Sequence, residues 1–291
     1  MNYTISDGKC TLTVSSRGAE LISAKFGDFE LIWQDKDLLW PKHSPVLFPI
    51  CGRLKNQRYT LSGKEYEMPV HGFVTASEFS LAEKSDTKLT LKLRENEETK
   101  SFFPVDFDFV AEYELSGGKI YFRVTITNKS EKTMPYMFGW HPAFNFPDSV
   151  NLLEELTFDF HGRGALLSHP IAKITEISGY SEDFPLENGK YIQNSKELYE
   201  IDTAVFSETG NAVSLYNEDE SFRLNMAWTD NVPYLCIWKK ALDEAKFVCI
   251  EPWSSIPRDG EKTENFDERN MRRLTAGESE RFVYEVELQN Y

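Results

Sequence analysis

The chain has 291 residues, 41% of them hydrophobic and 27% charged, which is ample apolar material for a buried core. Its formal net charge of −15 repels nucleic acid and anionic lipid, so neither is an expected partner. Residues 1–9 lack the basic start and apolar run of a secretory signal, and no stretch reaches the roughly 18–20 apolar residues of a membrane span, so a soluble cytoplasmic protein is expected.

In chain order, period-2 alternation recurs and convincing 3.6-residue periodicity does not. Thr11 to Val14 and Glu30 to Trp33 read as short strands, followed by Leu89, Leu91 and Leu93 alternating with Thr90 and Lys92. Phe109 to Leu115 and Ile120 to Thr127 form the clearest pair. Ile120, Phe122, Val124 and Ile126 make one face of the second strand, and Gly117-Gly118 supply the positive-φ residues of a tight hairpin between the two. Ala212 to Tyr216, Phe222 to Trp228, Tyr234 to Trp238 and Phe247 to Ile250 add further strands, and Phe282, Tyr284, Val286 and Leu288 mark a closing strand with one buried face. Only Leu152 to Glu155 and Lys262 to Leu274 look locally helical. Many short strands without crossover helices imply an all-β fold, a large antiparallel β-sandwich. No repeat, linker or low-complexity tract divides it, so residues 1–291 are taken as a single domain.

Two segments break the strand rhythm. Pro41 to Arg58 carries three prolines, His43, Cys51-Gly52-Arg53 and Asn56; Pro135 to Pro147 packs aromatics and prolines around His141. Irregular segments on a rigid sheet are where binding residues concentrate. The four cysteines, Cys10, Cys51, Cys236 and Cys249, show no metal-ligand or redox spacing and read as reduced structural residues.

The candidates for chemistry are few. His141 lies among aromatics, where a histidine is more often a satisfied core residue than a functional one, and His71 precedes Gly72, which lets a ligand approach the backbone. His43, His161 and His169 read as ordinary loop histidines. Glu251 follows the apolar run Lys246 to Ile250 and precedes Pro252-Trp253. A carboxylate at the end of a buried strand is costly unless it is paired, for instance with Arg258, or used as a base. Arg53 has a donor fork suited to sugar hydroxyls or a carboxylate, or to a salt bridge that ties down its loop. No HExxH, P-loop, GxGxxG or GxSxG motif is present and no histidine pair has metal-ligand spacing, so no cofactor or metal is expected. Histidine, glutamate, arginine and aromatics on an antiparallel scaffold suit metal-free proton transfer on a hydroxylated ligand.

Four anchors in order, Gly52-Arg53-Leu54, Val70-His71-Gly72-Phe73, Trp140 to Asn145 and Cys249 to Trp253, make the chain resemble the aldose 1-epimerase (galactose mutarotase) family, most closely its LacX-type branch. The resemblance runs over nearly the whole chain. It implies a large β-sandwich with a sugar in an open cleft, Glu251 as the base at the anomeric hydroxyl, and His141 as the acid at the ring oxygen. His71 and Arg53 would bind hydroxyls, and Asp202, in Leu198 to Thr203, matches the family's sugar-binding aspartate. Departures fall around the pocket: Gly52 stands where the family usually has asparagine, Phe73 replaces a second glycine, and Pro142-Ala143 replaces an aromatic pair.

The expected activity is therefore interconversion of the α and β anomers of a free hexose. A mutarotase for hexose 6-phosphates is the first alternative, with Arg258 and Arg53 as candidate phosphate ligands. A non-catalytic sugar-binding or regulatory protein on the same fold is another. A glycosidase or lyase would need a second carboxylate or an acid–base tyrosine, for which no motif speaks. Trp140, Trp238 and Trp253 are candidates for stacking on a sugar face or for the core. Oligomeric state is not legible.

Overall fold

The computed structural model describes residues 1–291 apart from 36–38, 148–149, 151–152, 174–175, 178–179, 200–202, 241–245 and 258–262. Two large sheets dominate. The nine-stranded sheet runs, edge to edge, through Tyr191–Gln193, Leu156–Asp159, Ala212–Asn217, Arg223–Trp228, Ser279–Asn290, Lys119–Asn128, Phe107–Ser116, Lys88–Arg94 and Ser80–Lys84. The eight-stranded sheet runs through Glu182–Pro185, Ala165–Ser168, Thr203–Ser207, Tyr234–Trp238, Phe247–Trp253, Gly139–Trp140 and Val46–Leu47, with Ala143–Asn145 also paired to Phe247–Trp253.

The three long strands at the middle of the nine-stranded sheet alternate between buried and wetter residues. Phe107, Phe109, Ala111, Tyr113 and Leu115 are buried on one strand, Ile120, Phe122, Val124 and Ile126 on the next, and Phe282, Tyr284, Val286 and Leu288 on the third. Register aligns these faces: Tyr113 opposes Phe122, and Phe122 opposes Tyr284. Gly117 and Gly118 both take positive φ and close the hairpin between Ser116 and Lys119, where two left-handed residues match the strand twist. The core lies between this face and the second sheet, where Phe138 and Trp140 meet Phe122, Phe282 and Tyr284.

Phe247–Trp253 has no alternation because all seven of its residues are buried. One side, Val248 and Ile250, belongs to the main core. The other side, Phe247 and Cys249, packs in a second small cluster with Trp33 and Ala143. The strand extends beyond Ile250, so Glu251 sits within it and not at its end.

Three expectations need correction. No helix occupies the described part of Lys262–Leu274. The Asn265 side chain instead accepts the Asp267 backbone N–H in a tight turn, and Phe266 inserts against Tyr59, with ring centroids 4.1 Å apart. Glu264–Asn265 pairs in parallel with Arg58–Leu61, so the antiparallel rule has an exception. Strand Phe29–Glu30 stops short of Trp33, leaving an isolated bridge from Ile32 to Phe144. Leu153–Glu155 is a single 3₁₀ turn, and the one α-helix among the described residues, Glu97–Phe102, begins at a reciprocal cap between Asn96 and Thr99. No described helix is long and apolar enough to cross a membrane.

Candidate active site

A cleft of about 220 Å³ opens on the outer face of the eight-stranded sheet. That volume lies below the ~300–1,000 Å³ of pockets for drug-sized ligands, so it suits one small ring. Its base is Glu251, 1% exposed and directly across the strand pair from Cys236.

His141 reaches Glu251 because of how its segment pairs. Gly139 sits opposite Trp253 and Ala143 opposite Cys249, so the residues between them arc over the stretch that holds Glu251. The arc is anchored by the His141 N–H donating to the Pro45 carbonyl and the Ile250 N–H to that of Pro142. Gly139 permits the approach, since a Cβ there would lie 2.5 Å from Trp253 Cδ1 and 2.9 Å from Cys51 Sγ. As a result His141 Nε2 lies 3.3 Å from Glu251 Oε1.

Burial, then the proximity of His71, holds the His141 imidazolium well below its ordinary range. Nδ1 of the ring has no hydrogen-bond partner among the described residues, so ring orientation falls to aromatic neighbours. Trp40 stacks on it at 5.0 Å and 23°, Trp238 meets it edge-on at 5.8 Å, and His71 at 5.4 Å. A carboxylate and a neutral imidazole in contact can hold one proton between them, which is the requirement for concerted acid–base work.

His71 has a defined tautomer. Its Nδ1 accepts the Gly52 backbone N–H at 3.1 Å, and the His71 backbone N–H donates to the Gly52 carbonyl at 2.8 Å. With Nδ1 engaged as acceptor, the proton of the neutral ring resides on Nε2, a donor for a ligand oxygen. Burial, followed by the charges of Arg53 and Lys42, pushes its pKa down to about 4. The backbone is in the left-handed region at His71 (φ 63°) and Gly72 (φ 80°). A Cβ on Gly72 would stand 2.0 Å from the Phe48 carbonyl oxygen, so only glycine fits.

Arg53 is exposed at the cleft wall and makes no ion pair among the described residues, so the loop-tying salt bridge is not seen there. Gly52 beside it has φ 74°, and a Cβ would meet Pro257 Cγ at 2.8 Å. The asparagine usual in the resembling family is thus replaced by a residue that makes room for Pro257. Pro257 follows a segment held by the buried Arg269 guanidinium, which binds Glu264 and the Ile256 carbonyl. Asp202 and Arg258 lie outside the described residues; Thr203, next to Asp202, lines the cleft.

Of the three tryptophans singled out by sequence, Trp238 and Trp253 line the cleft, whereas Trp140 is a core residue against Phe122 and Tyr284. Trp40, Val70, Ile177, Thr203 and Val205 complete the wall and were not anticipated. Trp40 carried one usable signal, its place immediately before the proline-rich irregular segment. His43 binds the Trp33 carbonyl, and His169 bonds Ser207 in a separate hollow. All four cysteines are free and buried; around Glu251, burial and then its carboxylate hold the thiols of Cys51, Cys236 and Cys249 well above their ordinary range.

Comparison with known proteins identifies the family and the fold. A sequence model of the family described as aldose 1-epimerase matches residues 1–286. The plasmid LacX protein of Lactococcus lactis is 28% identical over 272 residues, covering 88% of both chains. A galactose mutarotase related enzyme from Lactobacillus acidophilus superimposes with a TM-score of 0.92 at 30% identity, over 100% of this chain and 98% of that one. A galactose mutarotase-like protein from Lactobacillus casei does so at 0.92 and 26%, over 99% of this chain and 100% of its own.

Proposed function

The chain belongs to the aldose 1-epimerase family, and from that premise we propose that it interconverts the α and β anomers of a free aldohexose. The observation that carries this reading is the 3.3 Å contact between His141 Nε2 and Glu251 Oε1 at the base of a cleft sized for one sugar ring. Glu251 takes the proton of the anomeric hydroxyl while His141 delivers one to the ring oxygen. The C1–O5 bond breaks and the free aldehyde forms. Rotation about C1–C2 presents the other carbonyl face, and the reversed transfers close the opposite anomer. The pair is competent when it holds one proton, so activity is lost on either side of that state and the pH limits belong to the pair. His71 Nε2–H and the Arg53 guanidinium serve as donors to hydroxyls, and Asp202 as an acceptor. Trp40, Trp238 and Trp253 supply apolar walls for the faces of the ring.

A second reading, anomerisation of hexose 6-phosphates, is favoured by one observation. Arg53 and Lys42 stand near enough to His71 to oppose its protonation, and neither has an acidic partner among the described residues. The test is the rate of anomer interconversion by polarimetry or magnetisation-transfer NMR, on glucose, galactose and their 6-phosphates. Glu251→Gln is expected to lose roughly 10²–10⁴-fold in rate while still binding sugar, because the amide keeps the shape and loses the base. Equal rates for the variant and wild type would remove Glu251 from the mechanism. No acceleration of any sugar by folded protein would shift the assignment to a binding protein.

A further inference from the structure

One donor atom each of His141, Cys249 and Glu251 lies within 4.8 Å of the other two, and all three residues are buried. The strand makes this juxtaposition. Cys249 and Glu251 are two residues apart and share a face, and the arc between Gly139 and Ala143 hangs His141 over that same face.

We propose that this triad is a binding site for a borderline-soft divalent cation of the zinc class, and that occupancy switches turnover off. The inhibitory half rests on the reading of His141 and Glu251 as the acid–base pair. Metal–donor bonds of about 2.0–2.3 Å in a tetrahedron place neighbouring donors roughly 3.3–3.7 Å apart. The 3.3 Å between His141 Nε2 and Glu251 Oε1 already meets that spacing, and the thiol, no more than 4.8 Å from its partners, needs a displacement of at most about an ångström. With Nε2 on the metal, the proton of the neutral imidazole resides on Nδ1, which has no hydrogen-bond partner among the described residues and so leaves Nε2 free to ligate.

The donor chemistry selects the ion. Thiolate, imidazole and carboxylate together favour zinc and its neighbours over magnesium or calcium, which take oxygen ligands. Binding releases the thiol proton to solvent as the metal–sulfur bond forms, and nothing is oxidised or reduced. A doubly charged cation with one thiolate, one carboxylate and a neutral imidazole sums to zero charge, the condition under which ions are tolerated in a buried site. Three protein ligands leave a fourth position toward the cleft for water. With its carboxylate and imidazole lone pairs on the metal, the pair can neither accept nor deliver the sugar's protons.

The experiment titrates chelator-treated full-length protein with cobalt(II) and then zinc, reading the near-ultraviolet thiolate-to-cobalt band, metal content per chain, and anomerisation rate in parallel. One cobalt per chain is expected, with a thiolate band that zinc bleaches, at least a tenfold fall in rate at saturating zinc, and recovery with chelator. Cys249→Ser should retain the metal-free rate, lose the band and become at least tenfold less sensitive to zinc. Should that variant not fold, Glu251→Gln should keep the band but weaken cobalt binding at least tenfold. No band in the wild type, or a band of unchanged affinity in either Cys249→Ser or Glu251→Gln, overturns the site; metal bound at the triad with the rate unchanged overturns the inhibition. The optical and elemental readouts stand apart from turnover, so an inactive wild type would count against the enzyme reading and not against the metal site.

Discussion

The chemistry of the cleft is set by which nitrogens are already committed. His71 uses Nδ1 to accept the Gly52 N–H, and protonating that nitrogen would turn the acceptor into a second donor facing a donor. Its pKa near 4, against an ordinary 6.5, also carries a stability statement. The unfolded chain takes up the proton at higher pH than the folded one. Stability is therefore fully present above about 6.5 and is lost progressively as pH falls toward 4, with an upper bound of about 3 kcal/mol from this one ring. His71→Asn, which tolerates the left-handed backbone at φ 63°, should remove much of that dependence. Urea midpoints at about pH 7 and about pH 5 check it: the gap between the two should narrow in the variant. An equal gap would place the acid sensitivity elsewhere, with His141 the next group to examine.

At the scale of elements, the decisive contact is between the two-residue strand Gly139–Trp140 and the end of Phe247–Trp253. The space over Gly139 is filled by the Trp253 ring and the Cys51 thiol, both parts of a rigid, buried surround. Gly139→Ala is expected to cost about 1–3 kcal/mol through overpacking and to push Trp253 from its place in the cleft wall. A lower thermal midpoint accompanied by a raised KM for sugar is the expected result; a lower midpoint with unchanged KM would mean Trp253 does not shape the sugar site. This element also shows what sequence could not reveal. Alternation exposed Phe107–Ser116, Lys119–Asn128 and Ser279–Asn290 because each has one wet face. Phe247–Trp253, buried on both faces, was readable only as an apolar run and therefore only as far as Ile250, and Gly139–Trp140 was too short to have a period. The short helix Glu97–Phe102 was not anticipated: it is a turn and a half long, and its one local device is the Asn96–Thr99 cap.

For the whole molecule, the cleft collects residues from positions 40, 53, 71, 141, 238 and 251, and no local pattern joins such distant segments. The association of Arg53, His71, His141 and Glu251 was legible only through the ordered family motifs, and Trp40 and Trp238 lie outside those motifs. The architecture beneath them has the same long-range character. The last strand, Ser279–Asn290, lies at the centre of the nine-stranded sheet, its residues 279–287 paired with Lys119–Asn128 on one side and its residues 284–290 with Arg223–Trp228 on the other. Its buried Phe282 and Tyr284 are also the residues that meet Phe138 and Trp140 under the cleft. Removing this strand would leave two interior strands with open edges and expose the aromatic layer on which the arc carrying His141 rests. Deletion of residues 279–291 should therefore abolish folding of the whole sandwich instead of trimming an edge, and the product should be aggregated or devoid of near-ultraviolet circular dichroism. A truncated chain that remained monomeric with native near-ultraviolet signal would show that the eight-stranded sheet and its cleft can stand without the sheet beneath them. Pairings this remote in sequence are slow to form, because the loop entropy is lost before the contacts repay it. Refolding of the intact chain should accordingly take place in milliseconds to seconds or longer, with the cleft's tryptophan fluorescence recovering only in the phase that docks the closing strand.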